Sequence, residues 1–332
     1  MNSSGKSSIL LTGGGTGGHL AIVRAVKEEL LKRGIKPYYI GSTAGQDRNW
    51  FEDDEDFEEK LFLPSKGVVN KKGVAKLSSL MEVLRSAMRA GRFMKSRSVD
   101  AVLSVGGFSA APASFAAVAL RAPLFVHEQN AVSGKLNRIL KPFAKSFFNS
   151  YGNGAVSYPV SDIFFEKARI RESVESVIFL GGSQGARAIN DFALSVAPKL
   201  KGRGIKIIHQ TGGADLARVK MGYEKQSIEA DIFPFSKEIA EKIAEADFAV
   251  SRAGASTLWE LAANGIPTLF VPYPYAAGDH QYHNAKYLAD KDAGWVLREE
   301  ELRRESFWKI IEDEDMQRVS ERLRQEAKRG GA

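Results

Sequence analysis

Three stretches of the chain combine residue types at spacings that could do chemistry on a phosphorylated, hydroxyl-rich ligand. The first is Gly13–His19, GGGTGGH. Its glycines permit positive φ and close approach of backbone to a ligand, and the N–H groups of a following helix point at whatever anion sits there. His19 falls at or near that helix start, where the positive end of the dipole disfavours an imidazolium. A neutral imidazole there can take a proton as general base, or it can orient the loop or bond a phosphate. The second stretch is Ser251–Glu260, SRAGASTLWE. Thr257 and Glu260 stand at capping-box spacing, and a carboxylate at that place could equally accept two hydroxyls of a ribose diol. The third, Asp279–Asn284, DHQYHN, concentrates side-chain donors and acceptors. His280 and His283 lack a third ligand at telling spacing for a metal, so sugar or phosphate recognition is the better reading.

The elements that must hold these residues are legible as alternating short apolar runs and amphipathic segments. Ile9–Leu11 and Val177–Leu180 read as buried strands, each running into a glycine-rich turn and then a helix. The second turn belongs to VIFLGGSQGARAIN, 177–190. A phosphate-cradling turn near residue 13 and another near 181 predict two similar α/β halves. In the first half, Leu20–Arg33 carries a helical stripe and Gly34 stops it, with further strands expected at 36–40, 100–105, 123–127 and 145–149. A parallel sheet with right-handed crossovers follows. Gly106-Gly107-Phe108-Ser109 and His127-Glu128-Gln129-Asn130-Ala131 end two of those strands, so three glycine-rich or polar turns converge on one rim, where open α/β sheets bind ligands. The second half repeats the plan with strands at 177–180, 205–209, 230–233, 248–251 and 268–271. Tyr151–Pro159 reads as the linker, and 308–328 as a solvated helix packing back across the first domain.

Gly13, Gly15 and Gly18 satisfy G-x-G-x-x-G, but Tyr38–Ser42 supplies no acid at the end of the second strand to hold a ribose, which argues against a nicotinamide cofactor. Gly5-Lys6-Ser7 lacks the earlier glycine of a Walker A loop and reads as terminus. The chain has 332 residues, enough for two cores, and no cysteine, which excludes disulfides, thiolate nucleophiles and cysteine-ligated metals. The most apolar long segment, 101–125, is broken by Gly106, Gly107, Pro112, Arg121 and Pro123, and Met1–Ser8 is polar, so a soluble or peripheral protein is expected. Net charge is +7, and nine of the basic residues fall in 64–97 against the single acid Glu82. Within that block 78–97 reads as an amphipathic helix carrying Leu80, Met81, Leu84, Met88 and Met94. A solvated face, an anionic membrane surface and nucleic acid all fit such a block.

Taken in order, 13–19 (GGGTGGH), 106–110 (GGFSA), 127–131 (HEQNA), 181–187 (GGSQGAR), 251–260 (SRAGASTLWE) and 279–285 (DHQYHNA) closely resemble the MurG family of UDP-N-acetylglucosamine transferases, over nearly the whole chain. The resemblance implies an α/β GT-B fold, two Rossmann-like parallel-sheet domains facing a deep cleft. Residues 1–157 would be the acceptor- and membrane-facing domain, completed by a C-terminal helix at 312–332, and 158–311 the UDP-GlcNAc domain. It implies inverting transfer of GlcNAc from UDP-GlcNAc to the 4-hydroxyl of MurNAc in undecaprenyl-pyrophosphoryl-MurNAc-pentapeptide, at the cytoplasmic face of the plasma membrane. By the same resemblance His19 is the candidate general base. Thr16, Gly17, Gly18, Asn130, Ser183, Gln184, Phe235, Thr257, Glu260, His280, Gln281 and Asn284 would bind the donor. Gly14, Gly15, Gly106 and Gly107 would cradle the acceptor diphosphate. No cofactor, metal or nucleic acid is implied, and the basic 64–97 segment would meet the anionic membrane. The chain departs from the family at Ile22, where a proline is usual, at Ser161, where a linker arginine usually reaches the donor, and in its acidic 52–59 stretch. Without that arginine, donor phosphate binding would lean on backbone and on Arg187 or Arg252. A UDP-GlcNAc epimerase of the same fold, which would turn over donor without acceptor, and a non-catalytic basic scaffold indifferent to His19 are the rival readings.

Overall fold

In the computed structural model, residues 7–65, 73–152, 154–182, 185–236 and 238–332 are described, with side chains of 73–77 excepted. The chain divides into one unit of 1–159 plus 331–332 and a second of 160–330.

The first unit alternates strand and helix: β1 (Ile9–Thr12), α1 (Gly17–Lys32), β2 (Tyr38–Ser42), α2 (Asp47–Phe51), β3 (Lys60–Leu63), α3 (Gly73–Ser96), β4 (Ala101–Ser104), α4 (Ala111–Leu120), β5 (Leu124–Glu128), α5 (Lys135–Leu140) and β6 (Ser146–Asn149). All pairings are parallel, in the order β3-β2-β1-β4-β5-β6. Leu10, Ile40, Val102, Leu124 and Val126 form the buried heart of the sheet, under Ala113, Ala116 and Ala117 of α4 and Phe93 and Met94 of α3. The small residues of α4 let α3 pack close across it.

The second unit repeats the topology: α6 (Asp162–Glu166), β7 (Ser176–Leu180), α7 (Arg187–Gly202), β8 (Lys206–Gln210), α8 (Leu216–Lys225), β9 (Asp231–Phe233), α9 (Ile239–Glu245), β10 (Phe248–Ser251), α10 (Ala255–Asn264), β11 (Thr268–Phe270), α11 (His280–Ala289), β12 (Trp295–Val296), α12 (Arg304–Asp313) and α13 (Met316–Glu326). Its parallel sheet runs β12-β11-β10-β7-β8-β9, the same winding as the first once renumbered from its own start. Chain order therefore reverses between β1 and β4 in one sheet and between β7 and β10 in the other. Within each unit the switch point lies at the carboxyl ends of its own strands and is flanked by a pair of the glycine-bearing turns singled out above.

Two features differ from the sequence expectation. The acidic 52–59 stretch leads into an extra edge strand, β3, and three of its charges, those of Asp54, Asp56 and Glu59, tie it to the unit. The ammonium of Lys27, nearly buried on α1, bonds Asp54 (2.6 Å) and Asp56 (3.1 Å), and Arg97 grips Glu59 through two nitrogens at 2.8 and 3.0 Å. The C-terminal segment is not one solvated helix and does not complete the first unit. It breaks at Glu314-Asp315, where the Asp315 side chain accepts from the Arg318 N–H as an N-cap, and α13 packs on α10 in the second unit. The reason is its inward stripe, Met316, Val319 and Leu323, together with buried Ser320, which bonds the Gly265 carbonyl and accepts from the Arg171 N–H. Only 331–332 join the first unit.

Candidate active site

At the first switch point, β1 ends in Thr12 and the chain turns through Gly13 (φ 140°) and Gly15 (φ 85°) into α1. A Cβ on Gly15 would lie 2.4 Å from the Phe108 ring, and one on Gly107 would lie 2.3 Å from the Gly14 carbonyl oxygen and 3.4 Å from the His19 ring. The two turns thus touch with no room for side chains, which is why both are glycine. Gly14 and Gly15 are not open to a ligand along their whole length, however. The Asp47 carboxylate lies under them, accepting the Gly15 N–H at 2.6 Å.

His19 is the third residue of α1. Its Nδ1 lies 2.9 Å from the Thr16 hydroxyl and its Nε2 2.8 Å from the Gln129 amide nitrogen. The ring is thus held between the N-cap of α1 and the β5 turn. In the neutral tautomer protonated on Nδ1, the proton goes to Thr16 Oγ1 and the Nε2 lone pair is the basic one. Thr16 occupies the N-cap position but spends its side chain on His19 rather than on the helix end.

The β5 turn supplies the other wall. Glu128, buried, accepts from the Asn130 N–H (3.0 Å), the Gly134 N–H (2.9 Å) and the Asn137 amide (2.9 Å), which fixes the 128–134 loop around one carboxylate. A Cβ on Gly106 would lie 3.0 Å from the Asn137 amide, so the second glycine turn packs on the same cluster. His127 is fully enclosed beside Tyr158, with ring centroids 5.6 Å apart and edge to face, and neither of its ring nitrogens has a protein partner among the described residues. Burial pushes its pKa down to about 4, with the nearby His19 a smaller influence in the same direction.

At the second switch point the Gly181–Gly185 turn has Gly182 at φ 76° and Gly185 at φ 78°, and a Cβ on Gly185 would lie 2.6 Å from the Thr211 carbonyl oxygen. Ser183 and Gln184 lie outside the described residues. The Ser251–Glu260 stretch leaves β10 and starts α10 at Ala255 with Gly254 as N-cap, so Thr257 is inside the helix and the capping-box alternative does not hold. Thr257 and Glu260 are both half-buried. The Gln281 side-chain oxygen accepts the N–H of Tyr273 (2.9 Å) and of Ala253 (3.3 Å), and buried Asn284 donates to the Ala253 carbonyl (3.2 Å). Both side chains of α11 therefore pin the β10 turn. His280 holds the Ala277 carbonyl at 2.9 Å, and Asp279 is tied to Arg298 at 2.6 Å. Phe235 is half exposed just past β9.

Of the two cations that could replace the missing linker arginine, Arg252 is committed elsewhere. Its guanidinium bonds the carbonyls of Val271 and Pro272, each at 3.1 Å, and pairs with Glu299. Arg187, the first residue of α7, is largely exposed and reaches Asp191 at 3.9 Å. The sequence reading did not single out three residues that the structure brings to the first switch point, Asp47, His127 and Gln129. The last two lie inside the quoted 127–131 motif. Asp47 carries no local signal for the site, because the partner that ties it to the first glycine turn, Gly15, lies 32 residues away.

Residues 9–149 match the glycosyltransferase family 28 N-terminal domain and 176–330 its C-terminal domain. Curated relatives from Wolinella succinogenes (52% identical; 98% of this chain and 97% of that one) and Nitratiruptor (58% identical; 87% of each) carry the name UDP-N-acetylglucosamine--N-acetylmuramyl-(pentapeptide) pyrophosphoryl-undecaprenol N-acetylglucosamine transferase. The chain belongs to the MurG family. The solved structure of Acinetobacter baumannii MurG, 27% identical, superposes with a TM-score of 0.77 over 97% of this chain and 96% of that one. The two six-stranded parallel sheets are thus the GT-B fold, and the MurG-family turns occupy the strand ends expected of that fold. Among the described residues no cluster of His, Asp and Glu could hold a metal ion, and no helix is long and apolar enough to cross a membrane.

Proposed function

We infer that this chain is the UDP-GlcNAc-dependent N-acetylglucosaminyltransferase that converts undecaprenyl-pyrophosphoryl-MurNAc-pentapeptide to its GlcNAc-MurNAc form in peptidoglycan synthesis. The observation that carries the reading is the near-full-length identity of about half with relatives of that name, joined to intact glycine turns at both switch points.

The chemistry follows from the parts. The second unit holds the donor: the first turns of α7 and α10 offer N–H groups to the diphosphate, and the Glu260 carboxylate accepts the ribose hydroxyls. Gln281 and Asn284 act by fixing the turn at Ala253, and Gln281, half exposed, also meets the sugar. With Arg252 committed to Glu299, Arg187 is the cation near the phosphates. The first unit holds the acceptor, its diphosphate against Gly106-Gly107 and the start of α1. The muramyl 4-hydroxyl attacks the anomeric carbon, its proton passes to His19 Nε2, and the bond to UDP breaks with inversion. N–H groups and helix dipoles stabilise the departing diphosphate.

Transfer of labelled GlcNAc from UDP-GlcNAc to a short-chain analogue of the lipid-linked acceptor tests the assignment. Acceptor-dependent transfer is expected, whereas consumption of donor without acceptor would favour the epimerase. In the same assay Glu260→Ala removes a carboxylate that accepts hydroxyls. The KM for UDP-GlcNAc should rise about 10- to 100-fold, the worth of one or two charged hydrogen bonds, with a smaller change in kcat. An unchanged KM removes Glu260 from the ribose.

The membrane face is α3, where Leu80, Met81, Leu84 and Met88 are about half exposed beside Arg85, Arg89 and Arg92. Exposed apolar side chains ringed by arginine fit an anionic bilayer surface. Lys66, Lys71 and Lys72 of the same basic block lie outside the described residues. The double variant Leu84→Gln, Met88→Gln should lose at least about tenfold in partition onto vesicles containing anionic lipid, from the lost burial of two apolar side chains. Its turnover of a water-soluble acceptor should be unaltered. Equal vesicle binding by parent and variant rules this face out.

A further inference from the structure

The carboxylate of Asp47 is wholly buried, and no cation pairs with it among the described residues. Burying an unpaired charge is costly, and hydrogen bonds alone offset it here. Oδ2 accepts the Gly15 N–H at 2.6 Å, while Oδ1 accepts the Ser42 N–H at 2.8 Å and lies 3.2 Å from the Tyr39 hydroxyl. That hydroxyl is also 3.0 Å from the Gly13 carbonyl, so its one proton bridges the carboxylate and the turn. Burial, and then the adjacent Asp47 charge, raise the Tyr39 pKa well above its ordinary value, which keeps the phenol a donor. The fit is tight: a Cβ on Gly14 would lie 2.5 Å from Asp47 Oδ1, and one on Gly45 would lie 2.8 Å from the Gly15 Cα. The turn after β2 is thus bolted to the turn after β1 through a single anion.

We propose that Asp47 is a positioning residue for the transfer reaction. It holds the Gly13–Gly15 turn so that the start of α1 presents His19 to the acceptor hydroxyl, and it withdraws the Gly15 N–H from the phosphate site. Three consequences follow from the geometry. Gly15 donates inward to a carboxylate, so a diphosphate at this turn meets the N–H groups at the start of α1 and at Gly107 instead. An acceptor phosphate is kept off the floor of the turn by like charge and is thereby held toward the rim. His19, three residues on from Thr16 and in contact range of Gly107, takes its place from the same bolt.

The proposal rests on His19 and the first unit serving the acceptor, and its test separates the two. Asp47→Asn keeps the shape but turns one acceptor into an N–H₂ that must face a donor N–H. Tyr39→Phe keeps the ring within its aromatic cluster with Phe51, Phe57 and Phe62 and removes only the bridging proton. The chain has five histidines, so the His19 ring resonances can be followed by NMR in the parent and both variants without substrate. Both variants should move the His19 signals and leave those of His209 and His280 in the second unit unmoved. Turnover should fall about 100-fold in Asp47→Asn and several-fold in Tyr39→Phe, with the KM for UDP-GlcNAc within about twofold of the parent. Unmoved His19 signals in a folded variant overturn the proposal whatever the activity. Moved signals with undiminished turnover would leave Asp47 shaping the turn while sinking its part in the reaction. If Asp47→Asn fails to fold, Tyr39→Phe carries both readouts alone.

Discussion

Replacing His19 by alanine should lower kcat about 10²- to 10³-fold at neutral pH while leaving the KM for UDP-GlcNAc within about twofold, the pattern of a lost general base rather than of lost donor binding. The expectation comes from the imidazole's partners. The Thr16 hydroxyl faces Nδ1, the Gln129 amide faces Nε2, and the ring sits at the start of α1 where a second positive charge is disfavoured. An acceptor hydroxyl arriving at Nε2 displaces a neutral amide and meets a lone pair already oriented. A phosphate contact predicts something different. A histidine that only bonds phosphate would be replaced in part by arginine, and His19→Arg would recover turnover with a lower acceptor KM. A base cannot be replaced that way, because arginine stays protonated. His19→Gln should therefore be as poor as His19→Ala, His19→Arg no better, and the acidic limb of the parent's pH–rate profile should vanish in all three. Recovery by His19→Arg, or a limb that persists without His19, reassigns the proton to another group.

The fold was open to sequence reasoning because its signals are local. Val177–Leu180 and Phe248–Ser251 are continuous apolar runs bounded by glycine or arginine turns, and both became central strands of a doubly covered sheet. The strands that escaped notice, Lys60–Leu63 and Trp295–Val296, are edge strands, short and flanked by charge, with little apolar run to betray them. The C-terminal helices were read as solvated because most of their residues are charged. Burial there is carried by a narrow stripe, Phe307, Trp308, Met316, Val319 and Leu323, that composition hides. The site divides along the same line. Glycine turns and His19 are contiguous motifs and stand at the switch points, where their types implied they would. Asp47 and the locked Arg252 owe their roles to partners far along the chain, Gly15 for one and Glu299 for the other, and no window of sequence contains both ends of either interaction. Arg252 shows the cost of reasoning from residue type alone, since a cation beside a glycine turn looks like a phosphate ligand until its guanidinium is found on two carbonyls and a carboxylate.

Acid should weaken both units from about pH 6.5 downward, before their carboxylates begin to titrate, because each unit buries a histidine held neutral. In the first, His127 is pushed down to about 4; in the second, His209 is pushed down to about 3, burial being the main cause in both and the charges of Asp215 and Arg218 acting on His209 in opposite senses. The His209 ring is held as the neutral form. The Asn190 amide nitrogen is spent on the Thr211 carbonyl and Asp215, so its oxygen faces Nε2 and accepts that proton, and Nδ1 accepts from the Tyr223 hydroxyl. Unfolded, either histidine titrates near its ordinary 6.5. Between that value and the lower folded one the unfolded chain binds the extra proton, so stability is complete above about pH 6.5 and falls as pH drops. At about 1.4 kcal/mol for each pH unit, the loss grows to the order of 3 kcal/mol by about pH 4 for the unit holding His127, and to the order of 5 kcal/mol by about pH 3 for the one holding His209. Either is a large share of a domain's whole stability. Urea titrations at pH 7.5, 6.5, 5.5 and 4.5 measure it. Trp50 reports the first unit, and Trp259, Trp295 and Trp308 report the second, so a Trp50→Phe variant isolates the latter. The midpoint for the second unit should fall steadily below pH 6.5, and His209→Gln, which cannot take up the proton, should lower it at pH 7.5 yet flatten its slope with pH. A parent midpoint constant from pH 7.5 to 5, or a slope untouched by His209→Gln, would mean that the buried imidazole finds a proton acceptor in the folded chain and that acid sensitivity, where seen, arises from the carboxylates.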